Sequence, residues 1–196
     1  ALAWNRDPRG VVTRRRAGSV GAPSAFGRAG QTEEVFRRVL LGLADRVGSR
    51  LRKKGRAGRT VTVRVRFRDM QAITRATTLA APVSTTEAIF RTAWALAMQA
   101  VSEEAAGREV SLFGISVSKL TFETALQLEL PFDGGEVVRP GSPAGHRFWE
   151  LDRSVDAVRT KFGKGSVGAA SLLLGDGAGS VPDEFRELAE AREDEE

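Results

Sequence analysis

The sequence predicts an α+β domain in the order β-α-β-β-α-β. Its four strands form one antiparallel sheet with two helices on one face, and a small helical C-terminal tail follows. Three observations predict this. Residues Arg59 to Phe67 alternate between polar and apolar, the period of a strand with one buried face. Two longer stretches, from Thr32 to Lys54 and from about Thr85 to Ala105, repeat their apolar residues at helical spacing. Val110 to Phe122 adds a further strand, with Ser111, Ser116 and Ser118 set among Leu112, Ile115, Val117 and Leu120.

Val12 to Arg28 has the character of a linker. It holds Arg14-Arg15-Arg16 and then Gly18-Ser19-Val20-Gly21-Ala22, a short edge strand whose small residues would let a ligand's backbone come close. In the first helix Phe36, Leu40, Leu43, Val47 and Leu51 share one face. Thr32 is its N-cap, Glu33 and Glu34 occupy its first turn, and Lys53 and Lys54 close it before Gly55.

In the strand that follows, Val61, Val63, Val65 and Phe67 point to one side, and Thr60, Thr62, Arg64, Arg66 and Arg68 to the other. The arginines would sit about 7 Å apart. Asp69-Met70-Gln71 reads as a tight turn and Gln71 to Leu79 as the return strand. Such a hairpin offers a flat, positive, hydroxyl-bearing face suited to a phosphate backbone, although a merely solvated charged face has the same pattern. For the second helix, Ser84-Thr85-Thr86-Glu87 reads as a capping box. Phe90, Trp94, Ala97, Met98 and Val101 form its apolar face, and Gly107 ends it.

Composition narrows the function. Net charge is +5, but residues 1–82 carry 19 Lys/Arg against 5 Asp/Glu, while residues 83–196 carry 11 against 20. Net charges of +14 and −9 suggest a half that faces a polyanion and a half that faces something else. The absence of Cys excludes disulfides and thiolate chemistry. With His146 the single histidine, a structural zinc site is excluded as well. No apolar run reaches the roughly 18 residues of a membrane span, so a soluble, cytoplasmic, monomeric protein without membrane contact is expected.

Taken together, these pieces resemble the C-terminal little finger domain of a Y-family DNA polymerase of the bacterial DNA polymerase IV type. Arg16-Ala17-Gly18-Ser19-Val20-Gly21-Ala22 is similar to the family's opening Lys-Ser-Val-Gly segment, and the helix from Thr32 follows it. Val61 to Asp69 resembles the strand that ends in a basic-Phe-Asp-Asp-type turn. Ile73-Thr74-Arg75 and Thr77-Thr78-Leu79 match its partner strand, and Val110 to Val117 matches the final strand. The strand from Val61 departs from the family in its density of arginine.

The resemblance covers residues 12 to 132. It implies an end of the preceding thumb domain at 1–11, a DNA-binding little finger at 12–126 and a clamp-binding peptide at 127–132. The parent would be an error-prone lesion-bypass polymerase whose Mg²⁺-binding carboxylates lie in a separate palm domain. This part would then contain no catalytic residue, no metal ligand and no cofactor. Its implied partners are a primer-template and the bacterial sliding clamp. The resemblance marks Ser19, Thr74, Arg75 and Ser111 as DNA-contacting positions. The strand alternation adds Arg64, Arg66 and Arg68, and the basic linker adds Arg14, Arg15 and Arg16.

Gln127-Leu128-Glu129-Leu130-Pro131-Phe132 is similar to the clamp-binding peptides of bacterial polymerases. Leu and Phe anchors would enter an apolar groove, the Gln amide would meet its polar rim, and Pro131 would lower the ordering cost. Pro131 also lengthens the anchor spacing relative to the family's peptide. Residues 133–182 form a linker and a helical tail. His146 is expected as a solvated loop residue. Phe148, Leu151, Val155, Val158 and Phe162 form a stripe by which the tail would pack on the clamp-facing side of the domain, a separate partner site being the alternative, and a short second helix follows from Ser166 to Leu174. Residues 183–196 hold eight acidic residues and two arginines and are expected to be disordered or a frayed helix, repelled from DNA.

Two other functions share much of this pattern. A catalytically inactive polymerase-like mutasome adaptor would carry the same domain and peptide. A free-standing RNA-binding module would need stacking aromatics on the open sheet face, and the alternation puts none there.

Overall fold

The computed structural model describes residues 17–26, 31–105, 107–122 and 142–173. Arg14, Arg15, Arg16 and the peptide Gln127 to Phe132 lie outside the described residues, as does the acidic end. The described elements are β1 (Ser19–Ala25), α1 (Glu33–Lys53), β2 (Arg56–Phe67), β3 (Ala72–Val83), α2 (Thr86–Glu104), β4 (Val110–Phe122), α3 (Pro143–Phe162) and α4 (Ala170–Leu173). The expected β-α-β-β-α-β order and its helical tail are borne out. The sheet order is β1-β4-β2-β3 with every neighbouring pair antiparallel. β1 and β2 both flank β4 and therefore run parallel to each other, joined by α1 as a crossover; α2 joins β3 to β4 in the same way.

The alternating strand sets the core. Val61, Val63, Val65 and Phe67 are all fully buried against α1 and α2, together with Phe113, Ile115 and Val117 of β4. Leu40, Leu43, Val47 and Leu51 of α1 and Ile89, Ala93, Ala97 and Ala100 of α2 close over them. One end of the core is an edge-to-face triad of Phe26, Phe36 and Phe113, with ring centroids 5.0 to 5.3 Å apart. Such pairs add roughly 0.5–1.5 kcal/mol each beyond burial. The Gln31 amide bridges the same end: its Nε2 donates to the Val110 carbonyl at 3.0 Å, and its Oε1 accepts from the Val110 N–H at 2.8 Å.

α1 is capped as expected, the Thr32 hydroxyl accepting from the Val35 N–H at 3.3 Å. α2 departs from the expected capping box. Thr85 occupies the N-cap position without a side-chain cap bond, and the Thr86 N–H instead donates to the Asp152 carboxylate of α3 at 2.7 Å. A carboxylate 66 residues away thus satisfies an orphan donor of the first turn and complements the helix dipole.

α3 holds the second departure. It begins at Pro143, so His146 sits in a helix rather than a loop, stacked on Trp149 and paired with Glu150 through Nε2 at 3.2 Å. Its polar side, not its apolar stripe, faces the domain. Arg52 of α1, with a side chain only 3% exposed, donates to Asp156 through Nε at 2.6 Å and Nη2 at 3.2 Å, and to Asp152 through Nη1 at 3.1 Å. The same Nη1 reaches the Ser84 carbonyl at 2.8 Å. A Cβ on Gly48 would lie 2.8 Å from that nitrogen, so the glycine makes room for the guanidinium. Arg159 adds a bond from Nη1 to Asp45 at 2.9 Å, and its Nε holds the Val167 carbonyl at 2.9 Å.

Candidate nucleic-acid interface

The face of the sheet opposite the helices is assembled by register. Reading across β1, β4, β2 and β3, one row is Ser19, Ser118, Thr60 and Thr78, and the next is Gly21, Ser116, Thr62 and Ala76. The third is Pro23, Gly114, Arg64 and Thr74, and the fourth Ala25, Leu112, Arg66 and Ala72. Strands lie about 4.8 Å apart, so each row spans roughly 15 Å. None of these residues is acidic and none is aromatic. The face therefore divides into a hydroxyl-bearing half and a cationic half.

Small residues keep it shallow. Gly114 stands beside Arg64, where even a Cβ would be 3.8 Å from the Arg64 Cβ. Gly21 is more constrained, because a Cβ there would meet the Ser116 Cβ at 3.0 Å. The Thr60 and Thr78 hydroxyls are 2.9 Å apart and pair across β2 and β3.

Arg64 is exposed and, among the described residues, has no ion-pair partner. Arg66 is half-buried, its Nε 3.3 Å from the Ser111 hydroxyl. Ser111 falls at an irregularity where Phe67 pairs with Val110 after Arg66 has paired with Leu112. Its hydroxyl is within reach of the Arg66 and Phe67 carbonyls at 3.1 and 2.9 Å, so it braces the bulge beneath Arg66. Ser19 and Thr74 lie on the open face on the two edge strands, β1 and β3.

Two of the sequence-derived positions lie elsewhere. β2 ends at Phe67, and Arg68 sits in the turn, paired with Glu109, so the run of three arginines becomes a pair. Arg75 is opposite Val63 in the register and therefore on the helix side. There its Nη2 bonds Glu103 and Glu104 of α2, both at 3.2 Å, and these two carboxylates raise its pKa. The alternation of β3 carried this signal, since Thr74 and Arg75 are neighbours and point to opposite faces. Nothing in the local sequence marks Thr78, Ser116 and Ser118 as site residues. Only the strand register brings them into line with Ser19 and Arg64.

Among the described residues no group of three or more His, Cys, Asp or Glu is placed to hold a metal ion. Among them, too, no helix is long and apolar enough to cross a membrane.

The fold and this face define an α+β module with two helices on one side of its sheet and, among the described residues, an open, cationic, hydroxyl-rich surface on the other. Residues 17–130 match the model of the impB/mucB/samB family C-terminal domain, and the chain belongs to that family. It is 50% identical over 191 residues to DNA polymerase IV 2 of Mesorhizobium japonicum, covering 97% of this chain and 46% of the relative. DNA polymerase IV of Desulfatibacillum aliphaticivorans is 30% identical over 177 residues, covering 88% of this chain and 41% of that protein. The chain thus spans less than half the length of these relatives. A solved Y-family DNA polymerase chimera shares the fold, with a TM-score of 0.50 at 15% identity over 62% of this chain and 33% of its own. The resemblance to a Y-family little finger is borne out.

Proposed function

We propose that this chain is the part of an error-prone translesion DNA polymerase that holds the primer-template duplex and tethers the enzyme to the sliding clamp. The observation that carries the reading is the open face itself. Four rows of hydroxyls and small residues, with Arg64 and Arg66 at one end and no carboxylate among them, suit phosphate oxygens rather than base edges. Contacts of that kind hold a duplex in register on any sequence, as lesion bypass requires. The polymerase's catalytic carboxylates and their Mg²⁺ ions belong to a palm domain outside these residues.

Titration of the chain with two duplexes of unrelated sequence tests this. Equal affinities are expected, with log K falling linearly as log salt rises. Binding that is sequence-selective or insensitive to salt would overturn the reading.

The clamp tether is assigned to Gln127, Leu128, Leu130, Pro131 and Phe132, a stretch separated from the end of β4 by four residues in the sequence. Calorimetric titration into the bacterial sliding clamp is expected to show binding that Leu130→Ala with Phe132→Ala weakens at least about 30-fold, since each lost anchor is worth more than about 1 kcal/mol. Duplex affinity should not change in that variant. Equal clamp affinity in both proteins would remove the peptide from the reading.

A further inference from the structure

The tip of the β2–β3 hairpin holds a methionine where the backbone favours glycine. Met70 has φ +69°, in the left-handed region, a conformation that Lys119 alone shares among the described non-glycine residues. The Phe67 N–H donates to the Gln71 carbonyl at 2.9 Å and the Met70 N–H to the Phe67 carbonyl at 3.1 Å. This is the three-residue loop whose last position is ordinarily glycine. A side chain there strains the backbone as a glycine would not.

The turn is held in that conformation from several sides. Asp69 Oδ1 accepts from the Gln71 N–H at 3.0 Å. Arg108, just before β4, lies over the Phe67 ring at 4.1 Å and donates to Gln71 Oε1 at 3.0 Å and to Asp69 at 3.5 Å. Arg68 pairs with Glu109, and its N–H donates to the Glu109 carbonyl at 2.9 Å. The charged side chains of the tip are thus tied to the loop before β4. Met70 is 68% exposed, more than any other large apolar side chain among the described residues. Strain that the surroundings enforce around one exposed side chain points to a use for that side chain.

Position decides what it meets. Met70 stands two residues before Ala72, which pairs with Arg66 in the fourth row of the open face, so the tip continues the sheet past its cationic end. A nucleic-acid strand alternates phosphates with the apolar carbons of its deoxyriboses. An unbranched thioether suits such carbons: it adapts its shape and carries no donor that could select a base. Resting on the duplex-holding reading, we propose that Met70 is an apolar footing for the duplex, packed on the deoxyribose beside the phosphate that Arg66 holds.

The test is duplex titration of the intact chain over a salt series, with Met70→Gly, Met70→Gln and Met70→Leu beside wild type, and urea unfolding of each. Met70→Gly is expected to unfold at a midpoint no lower than wild type, because glycine relieves the left-handed strain. It should bind two unrelated duplexes about fivefold more weakly, the loss of one small apolar contact. The slope of log K against log salt should keep its wild-type value, since apolar contact releases no counterion; that separates Met70 from Arg64 and Arg66. Met70→Gln keeps the length and the strain and should lose about as much as Met70→Gly. Met70→Leu restores an apolar side chain and should recover most of the loss. Wild-type affinity in Met70→Gly would overturn the proposal, as would equal losses in all three variants or a loss accompanied by a shallower salt slope. A wild-type chain that binds neither duplex would overturn the duplex reading itself, and this inference with it.

Discussion

Arg52→Ala is expected to lower the unfolding free energy by about 3–5 kcal/mol, the cost of stripping the partner from buried charges. Arg52 is the hub between the two main helices and α3. It donates to both carboxylates of α3 and to the carbonyl of Ser84, just before α2. Among the described residues, removing it leaves Asp152 with the Thr86 N–H and hydroxyl, and Asp156 with the Ser49 hydroxyl at 3.1 Å. It also empties the space that Gly48 keeps open. Arg52→Lys keeps the charge but loses the planar fork and should fall between the two. Urea unfolding at fixed m-value reads the loss, and a fall below about 1 kcal/mol would show that α3 is held by something else.

The same variant has a pH signature. Burial pushes the Asp152 carboxyl up, and Arg52 together with the Thr86 N–H pulls it partly back. Its folded-state pKa therefore lies above the unfolded value. The folded chain binds the extra proton in the window above about pH 4, and this group's contribution declines as pH rises through that window. Without Arg52 the upward push is less opposed and the window widens. The deficit of Arg52→Ala should thus shrink as pH falls and Asp152 takes up its proton, since the neutral carboxyl leaves no bare charge.

The parts of this architecture carried by local periodicity were legible in the sequence. Val61, Val63, Val65 and Phe67 read as one face and are one face; Thr32 reads as a cap and is one. What was not legible depends on partners distant in the chain. The motif Ser84 to Glu87 satisfies the capping-box pattern, but a carboxylate 66 residues away takes the Thr86 N–H. The stripe from Leu151 to Phe162 looks like a packing face, and only the three-dimensional position of Arg52 shows why the neighbouring polar side wins. A buried guanidinium needs carboxylates, and α3 supplies two of them. Likewise, Arg68 falls off the open face because Phe67 is the last residue of β2, a boundary that alternation alone does not mark.

Charge reversal at Arg64→Glu with Arg66→Glu is expected to weaken duplex binding by about 10²–10³-fold near 0.1 M salt. Two phosphate contacts are lost, and two carboxylates are set against the backbone, where like charges cost several kcal/mol. The loss should be equal on unrelated sequences, and the slope of log K against log salt should become shallower by about 2, because two fewer counterions are released. Position makes the pair effective. Arg64 stands between Gly114 and Thr74, and Arg66 between Leu112 and Ala72, so no neighbouring acid in either row would share the change.

Arg75→Glu supplies the contrast within the same hairpin. It lies one residue from Thr74 but on the helix side, against Glu103 and Glu104. Reversal there should leave duplex affinity within about threefold of wild type and act instead through like-charge repulsion between β3 and α2. If Arg75→Glu weakened binding as much as the double variant, the helix side rather than the open face would be the surface that meets DNA. If the double variant bound normally, the two arginines would be solvated charges, and the hydroxyl rows would have to carry the duplex alone.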